Sequence, residues 1–150
     1  MPTPRVCSVA RSLEVVGERW SLLVLREAML GVRRFDEIQR NTGAPRAVLA
    51  QRLRHLVDAG ILERRDYRPH GGRTRQEYHP TTAGRELQPV LVALMRWGDR
   101  HLAGPEGPPV RMEHRDCGGA VHARLVCEHG HPLSGDGRDL RPVPGVAESA

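Results

Sequence analysis

Apolar residues recur at helical spacing through the first sixty positions of the chain. They predict three helices, each closely followed by a glycine, over residues 8–16, 19–30 and 35–41. Glycine is favoured just past a helix end because it adopts the left-handed conformation without strain. The side chains expected to be buried on these helices are Val9, Leu13, Val16, Trp20, Leu23, Val24, Ala28, Phe35 and Ile38.

A fourth helix is predicted to begin at Pro45 and to end at Gly60. Proline suits the first helical turn, whereas the preceding Ala44 is a weak N-terminal cap. The apolar residues on the predicted core side are Val48, Leu49, Leu53, Leu56 and Val57. The polar residues expected to point largely away from the core are Arg46, Gln51, Arg52 and Arg54.

Two strands joined by a glycine-rich turn are predicted next. Residues 61–68 alternate as a first strand, residues 69–72 form the turn, and residues 73–79 return as a second strand. A last helix is expected to follow, capped by Thr81 or Thr82. Its apolar positions have roughly heptad spacing and are Leu87, Val90, Leu91, Leu94 and Trp97.

The composition changes after residue 104, where a cluster of Gly and Pro interrupts the helical pattern. Three segments are therefore predicted: a helical domain over 1–104, a small hairpin or zinc-ribbon-like appendage over 105–134, and a disordered tail over 135–150. The predicted fold class is mainly α with a small β-wing. It is a winged helix-turn-helix domain with a C-terminal dimerisation helix, followed by a short β-hairpin-like tail.

Positive charge is concentrated around the fourth helix and the two strands. The chain carries a formal net charge of +5, and residues 44–75 alone hold eight Arg against three acidic residues. A local excess of this kind is the electrostatic footprint of a polyanion partner, although a solvated charged face has the same composition.

The order of the predicted elements favours a polyanion partner over a solvated charged face. In a helix-turn-helix, one helix enters the major groove, which is about 12 Å wide, and a wing can reach the minor groove. Arginine suits guanine because its guanidinium donates two hydrogen bonds to O6 and N7. Double-stranded DNA is thus the predicted partner, with groove contacts from Arg46, Gln51, Arg52 and Arg54 and wing contacts from Arg73 and Arg75.

Several short motifs resemble the HxlR branch of the MarR-like winged-helix regulators. These motifs are Cys7-Ser8-Val9-Ala10-Arg11-Ser12-Leu13, Gly17-Glu18-Arg19-Trp20, Arg34-Phe35-Asp36-Glu37-Ile38, Val48-Leu49-Ala50-Gln51-Arg52-Leu53-Arg54-His55-Leu56, Ala59-Gly60-Ile61-Leu62, Glu77-Tyr78 with Thr81 and Gly84, and Trp97-Gly98. The resemblance covers about residues 7–103 and departs from the family pattern at Ser8, Ala44 and Pro80. It implies a regulator of transcription.

The apolar last helix adds an expectation about assembly. Leu87, Leu91, Leu94 and Trp97 are more than one small domain can cover by itself, so a homodimer is predicted, with its terminal helices paired. Two symmetric copies would read a pseudo-palindromic operator whose half-sites lie about one helical turn, or a multiple of it, apart.

Cys7 is the candidate for redox sensing. It lies at the start of the first predicted helix, near Arg5 and Arg11, and such a position favours the thiolate. The family resemblance points the same way, since some members sense oxidants or electrophiles through this residue. The alternative is a half-buried thiol that packs at the dimer interface.

The tail contains an incomplete set of zinc ligands, namely His114, Cys117, Cys127 and His131, with His129 between the last two. Zinc needs about four N or S ligands in a tetrahedron. A regular hairpin of residues 110–117 and 120–126 that turns at Gly118-Gly119 would hold Cys117 and Cys127 about 20 Å apart, too far to share one ion. No cofactor is therefore expected, and zinc is the alternative.

The sequence predicts neither an enzyme nor a membrane protein. It has no Gly-x-Ser-x-Gly elbow and no phosphate loop, no apolar run near the ~18 residues of a membrane span, and no signal-like N-terminal stretch. We expect a cytoplasmic, homodimeric regulator that a small molecule or thiol chemistry modulates. The alternatives are a winged-helix adaptor that docks on proteins and a metal sensor that uses the His/Cys tail.

Overall fold

Residues 7–145 are described by the computed structural model, and they contain six helices and two strands. Their bounds are α1 Ser8–Val16, α2 Arg19–Met29, α3 Phe35–Thr42, α4 Arg46–Asp58, β1 Leu62–Tyr67, β2 Arg75–Pro80, α5 Thr82–Arg85 and α6 Gln88–His101. The chain separates into two compact units, Met1–Met95 and Arg96–Ala150, with the boundary inside α6. None of the described helices is long and apolar enough to cross a membrane.

The core of the first unit lies among α2, α3 and α4. The residues with almost no exposed surface there are Val24, Leu25, Ile38, Leu49, Leu53, Leu56 and Leu62. The three leucines of α4 recur at i, i+4 and i+7, so the helix turns one apolar stripe inward. Burying a leucine side chain contributes roughly 1.5–3 kcal/mol, and this stripe therefore decides which side of α4 faces solvent.

A left-handed glycine makes the turn between α3 and α4. Gly43 has a φ of 71° and donates its amide to the Gln39 carbonyl at 2.9 Å, which closes α3. Helix α4 then begins at Arg46, one residue later than the sequence predicted. Pro45 has an extended ψ of 138° and occupies the N-cap position just outside the helix, where its carbonyl accepts the first helical hydrogen bond.

Strands β1 and β2 form the antiparallel wing, which was predicted from the sequence. The ladder closes at its outer end with Tyr67 opposite Arg75. Both strands stop one or two residues short of the predicted turn, because the connecting residues close a hydrogen-bonded loop of their own. On its other edge, β2 receives the segment before α3, since the Tyr78 amide donates to the Arg33 carbonyl at 2.8 Å.

The C-terminal helical region is two helices rather than the single one predicted. Thr81 caps α5, because its hydroxyl accepts from the Gly84 amide at 3.1 Å. Pro89 lies in the first turn of α6 and has no amide to donate to the Arg85 carbonyl, so a continuous helix is interrupted there. Gly84 also packs tightly on the chain before β1, where an added Cβ would lie 2.2 Å from the Ile61 carbonyl oxygen.

Helix α1 exposes apolar residues that were predicted to be buried, and helix α6 exposes apolar residues that the sequence analysis assigned to a second copy of the chain. Val9 and Leu13 of α1 are 65% and 56% exposed, and only Val16 of that helix is buried. Helix α6 buries Val92, whereas at least half of the surface is exposed at Val90, Leu94 and Trp97. Periodicity shows that a helix face is apolar, but it does not show whether the same chain covers that face.

The second unit has two narrow hairpin-like loops, without the regular strands 110–117 and 120–126 that the sequence analysis considered. Two isolated bridges close these loops, Glu113 with Ala120 and Val126 with Pro132. The first loop is longer than a two-residue turn and includes Gly118, whose φ is 67° and whose amide donates to the His114 carbonyl at 2.8 Å. Residues 121–125 contain no strand, and none of the described residues from 96 to 145 is buried.

The start of the tail predicted to be disordered is a small polar turn. The Ser134 hydroxyl donates to Asp136 Oδ1 at 2.6 Å, and the Ser134 amide donates to Asp139 Oδ2 at 2.5 Å. These hydrogen bonds lower the pKa of both carboxyls below the usual Asp value. The rest of the predicted disordered segment shows no helix or strand as far as residue 145, and residues 146–150 lie outside the described residues.

Candidate DNA interface

The outer side of α4 carries a stripe of exposed residues opposite its buried leucines. Ala47, Gln51 and Arg54 are exposed and recur at i, i+4 and i+7. An amide at Gln51 suits adenine, and a guanidinium at Arg54 suits guanine. Among the residues that the structure describes, no carboxylate lies within 4.0 Å of the Arg54 guanidinium. This stripe can therefore present two base-reading side chains to a groove.

Arg46 stands at the N-terminal end of α4, where α3 positions it. Its guanidinium lies 4.8 Å from the centre of the Phe35 ring and 3.6 Å from Asp36 Oδ1. The side chain remains 72% exposed, so most of its donors still face solvent. A cation held in this way at the end of a helix is suited to a phosphate oxygen.

The sequence analysis expected Arg52 to point away from the core, but in the structure it does not. Residues on an α-helix follow one another at about 100°, so Arg52 and Arg54 lie on nearly opposite sides of α4. Only 17% of the Arg52 side chain is exposed, and its Nη1 atom lies 3.7 Å from Glu18 Oε1. Arg52 therefore faces the connection between α1 and α2 rather than the outer stripe.

The tip of the wing carries the two predicted arginines in exposed positions. Arg73 and Arg75 have no carboxylate within 4.0 Å among the described residues. Gly71 has a φ of 68°, and the Gly72 amide donates to the Pro69 carbonyl at 2.8 Å, which makes the turn tight. The narrow tip therefore projects two free guanidinium groups.

Two more wing arginines belong to this surface, although the sequence analysis did not select them. Arg64 is exposed without a carboxylate within 4.0 Å in the described part of the chain, and Arg68 donates to Thr74 Oγ1 at 3.3 Å. Arg65, between them, is paired with Glu63 at 2.5 Å. The local excess of Arg indicated this region, but only the strand geometry separates the free arginines from the paired one.

A stacked arginine connects the wing to the helix-turn-helix. The Arg34 guanidinium lies 4.7 Å from the centre of the Tyr67 ring and 3.5 Å from Glu77 Oε1. The backbone of Arg34 also forms an antiparallel bridge with Glu77 of β2. The start of α3 and the wing are thereby held to each other.

A buried carboxylate that the sequence analysis missed joins α2 to α3. Glu27 is 4% exposed and accepts from Arg26 Nη2 at 2.7 Å and from Asn41 Nδ2 at 2.7 Å. Asn41 lies in the last turn of α3, so this bond holds the start of the helix-turn-helix turn. The apolar periodicity of α2 does not reveal this carboxylate, because Glu27 is a charged residue on the buried side of the helix, next to Ala28.

The candidate sensor, Cys7, is exposed and occupies the N-cap position of α1. Of its two expected cationic neighbours, Arg5 lies outside the described residues, and Arg11 follows one turn later with its amide 3.1 Å from the Cys7 carbonyl oxygen. Cys117 and Cys127 are also exposed and free. Exposure alone therefore does not single out Cys7, and the helix N-terminus is what distinguishes it.

The four predicted zinc ligands lie on the two loops of the second unit. His114 and Cys117 belong to the first loop, and Cys127 and His131 belong to the second, where the Cys127 amide donates to the His131 carbonyl at 3.0 Å. Within the described residues, no three side chains of His, Cys, Asp or Glu are close enough to hold one metal ion.

Comparison with known proteins places this fold in a family. The model of the HxlR-like helix-turn-helix family matches residues 15–105. An uncharacterized HTH-type transcriptional regulator of Mycobacterium tuberculosis strain H37Rv is 48% identical over 139 residues, which cover 92% of this chain and 85% of the relative.

Two solved structures are similar as well. PA1607, described as a candidate transcription factor, has a TM-score of 0.81 and 36% identity over 93% of this chain and 96% of its own. The oxidized form of the redox regulator HypR has a TM-score of 0.59 and 28% identity over 65% of this chain and 100% of its own. The chain belongs to the HxlR-like helix-turn-helix family and is a transcriptional regulator with a winged helix-turn-helix DNA-binding domain.

Proposed function

We propose that this regulator acts as a homodimer on a pseudo-palindromic operator in double-stranded DNA. The observation that carries the proposal is the pair of exposed, Arg-bearing surfaces on α4 and the wing. Helix α4 enters the major groove with Gln51 and Arg54 toward the base edges, and Arg46 contacts the phosphate backbone. Arg73 and Arg75 of the wing contact phosphates or the minor groove.

The exposed apolar faces of α1 and α6 support the homodimer. Helix α1 has nine residues and buries only Val16, yet a helix this short gains most of its stability from tertiary packing. A second copy can supply that packing, because a two-fold axis brings identical faces together. The same axis places two recognition helices on half-sites about 34 Å apart, one turn of DNA, or at a multiple of that spacing.

We further propose that the regulator responds to a small molecule or to modification of Cys7. The thiol is exposed at the start of α1, the helix whose apolar face is assigned to the dimer. HypR, to which this chain is similar, is a redox regulator. A group added to Cys7 would change how α1 packs and, through the dimer, how the two recognition helices are spaced.

Alkylation by iodoacetamide tests the thiol proposal. Peptide mapping by mass spectrometry is expected to show Cys7 labelled before Cys117 and Cys127, which are also exposed and serve as internal controls. The alkylated protein should bind its operator less tightly. Earlier labelling of either tail cysteine, or unchanged DNA binding after complete labelling of Cys7, would argue against this role.

Fluorescence anisotropy tests the DNA proposal on a duplex from the region upstream of the protein's own gene, with a scrambled duplex of equal composition. Arg54→Ala should erode the preference for the upstream duplex by about 1–3 kcal/mol, the value of one bidentate base contact. Arg73→Ala should weaken both duplexes together and lower the slope of log K against log salt by about one.

The matched control is Arg65→Ala, since this wing arginine is already paired with Glu63 and should change binding little. Wild-type behaviour of Arg54→Ala and Arg73→Ala on both duplexes would remove these two contacts from the proposal. A wild type that shows no preference for the upstream duplex would remove the proposal that the protein reads an operator. The winged-helix adaptor that docks on proteins would then replace it.

A further inference from the structure

We infer that Arg52 is a positioning residue, which holds the recognition helix α4 against the connection between α1 and α2 and does not touch DNA. The inference rests on the proposed function, because it concerns how the α4 stripe is presented to an operator. It assigns to Arg52 a role that differs from that of Arg54, although both arginines lie in the same motif.

The geometry of α4 separates the two arginines. They are two residues apart, which corresponds to about 200° around the helix axis. Arg54 lies on the exposed stripe with Gln51, whereas Arg52 lies on the flank with Val48 and His55, which are both partly buried. A helix that turns Arg54 toward the floor of a groove therefore turns Arg52 away from it.

The Arg52 side chain ends in a groove of about 530 Å³ at the α1–α2 connection. The residues that line the groove are Leu13, Glu14, Gly17, Glu18, Arg19 and Arg52. Glu18 occupies the N-cap of α2 but makes no capping hydrogen bond to its own helix. Its carboxylate lies 3.7 Å from the Arg52 guanidinium instead.

The connection that carries Glu18 is tight. Gly17 donates its amide to the Leu13 carbonyl at 2.8 Å, and a Cβ at Gly17 would lie 2.4 Å from that same oxygen. Arg52 is therefore attached to a firm point directly after α1. The ion pair sets the position of α4 relative to α1, and α1 carries part of the proposed dimer face. Loss of the pair should misplace the α4 stripe on an operator without removing any DNA contact.

The variant Glu18→Gln distinguishes the two possible roles of Arg52, a phosphate contact and a positioning residue. A carboxylate lost near DNA strengthens binding if Arg52 contacts phosphate, because the local positive charge rises. If Arg52 positions α4, the same variant weakens binding to the upstream duplex by about twofold to fivefold, the range that a partly exposed ion pair permits. Binding to the scrambled duplex should then stay as in the wild type.

Arg52→Ala and Arg54→Ala form the matched pair for the salt series. Arg52→Ala is expected to lower affinity for the upstream duplex and to leave the salt slope unchanged, because no phosphate contact is lost. Arg54→Ala should reduce the preference for the upstream duplex over the scrambled one, because it removes a base contact. Exchange of the two charges in Glu18→Arg/Arg52→Glu should restore part of the loss seen with Arg52→Glu alone.

Thermal melting of each variant establishes that it is folded, and the conservative Glu18→Gln decides the matter if the exchanged pair does not fold. The inference is overturned if Arg52→Ala lowers the salt slope by about one, or if Glu18→Gln binds DNA as tightly as the wild type or more tightly. Failure of the proposed function looks different, since the wild type itself would then show no preference for the upstream duplex.

Discussion

At the scale of single residues, the role of each arginine near α4 and the wing depends on what its guanidinium can reach. Arg52 and Arg65 each have a carboxylate partner at 3.7 Å and 2.5 Å respectively. Ion pairs at a protein surface, with at least one exposed partner, add about 0–1 kcal/mol to stability, but they reduce the charge that is free for a phosphate. The free groups on Arg54, Arg73 and Arg75 therefore define the DNA-facing charge better than the total number of arginines does.

Glu27 is the buried polar residue that holds α2 to the last turn of α3. Glu27→Ala removes the acceptor of Asn41 and of Arg26, and hydrogen bonds to a charged group contribute about 1.5–3 kcal/mol. We expect urea denaturation to show a free energy of unfolding lower by about that amount, with a melting temperature several degrees below that of the wild type. Glu63→Ala, which removes an exposed ion pair, is the control and should cost about 0–1 kcal/mol. Equal effects of the two substitutions would show that Glu27 does not hold α2 to α3.

Sequence reasoning could place most of these residues but not their partners. Gln51 and Arg54 were predicted to be exposed because the apolar residues of α4 leave them on the outer side, and the structure bears this out. Arg52 was misplaced, since period alone cannot reveal a carboxylate at Glu18 on another helix. Glu27 was missed for a related reason: its partner Asn41 is brought near only by folding.

At the scale of elements, α5 depends on one close contact with the chain before β1. Alanine is normally favoured over glycine inside a helix by about 1 kcal/mol. At Gly84 the added Cβ would lie 2.2 Å from the Ile61 carbonyl oxygen, which is backbone and cannot rotate away. Gly84→Ala is therefore expected to destabilise the fold by about 1–3 kcal/mol, the usual cost of overpacking.

Thermal denaturation of Gly84→Ala is compared with that of Gly104→Ala. No atom lies within 4 Å of a Cβ at Gly104, so this control should melt within a degree or two of the wild type. A Gly84→Ala protein as stable as the control would show that α5 moves away from Ile61 at little cost.

Local sequence patterns were sufficient to predict some of the helices and strands but not all of them. The first four helices and the wing follow from apolar period, glycine stops and the glycine-rich turn, since each signal acts within a few residues. The break between α5 and α6 does not follow from the heptad spacing of the apolar residues, which continues across it, but from the missing amide of Pro89. In the tail, the two-residue turn expected at Gly118-Gly119 is replaced by a longer loop that includes Gly118 and is closed by the hydrogen bond from the Gly118 amide to the His114 carbonyl.

At the scale of the whole molecule, the two loops of the second unit raise the question of metal content. The four candidate ligands are divided between the loops, and the described residues bring no three potential ligands together. We expect less than one zinc per chain in elemental analysis of protein purified without chelators, because zinc binding needs about four ligands at one point. One zinc per chain that is lost in Cys117→Ser would refute this expectation and would favour the metal-sensor alternative.

Dimer formation through α6 determines whether the protein can bind two half-sites of an operator at once. Leu94 is half exposed in the middle of α6, on the face assigned to a second copy. In a two-fold dimer, each Leu94→Glu substitution introduces two charges into the apolar contact, and a buried unpaired charge is costly. Sedimentation at micromolar concentration is expected to give a dimer for the wild type and a monomer for Leu94→Glu. Leu140→Glu, at a residue 59% exposed in the tail, is the control and should remain dimeric.

The monomeric Leu94→Glu variant should bind a duplex with two half-sites no better than a duplex with one, because the advantage of the second half-site comes only from linking two recognition helices. A monomeric wild type would leave the apolar faces of α1 and α6 without the partner proposed for them.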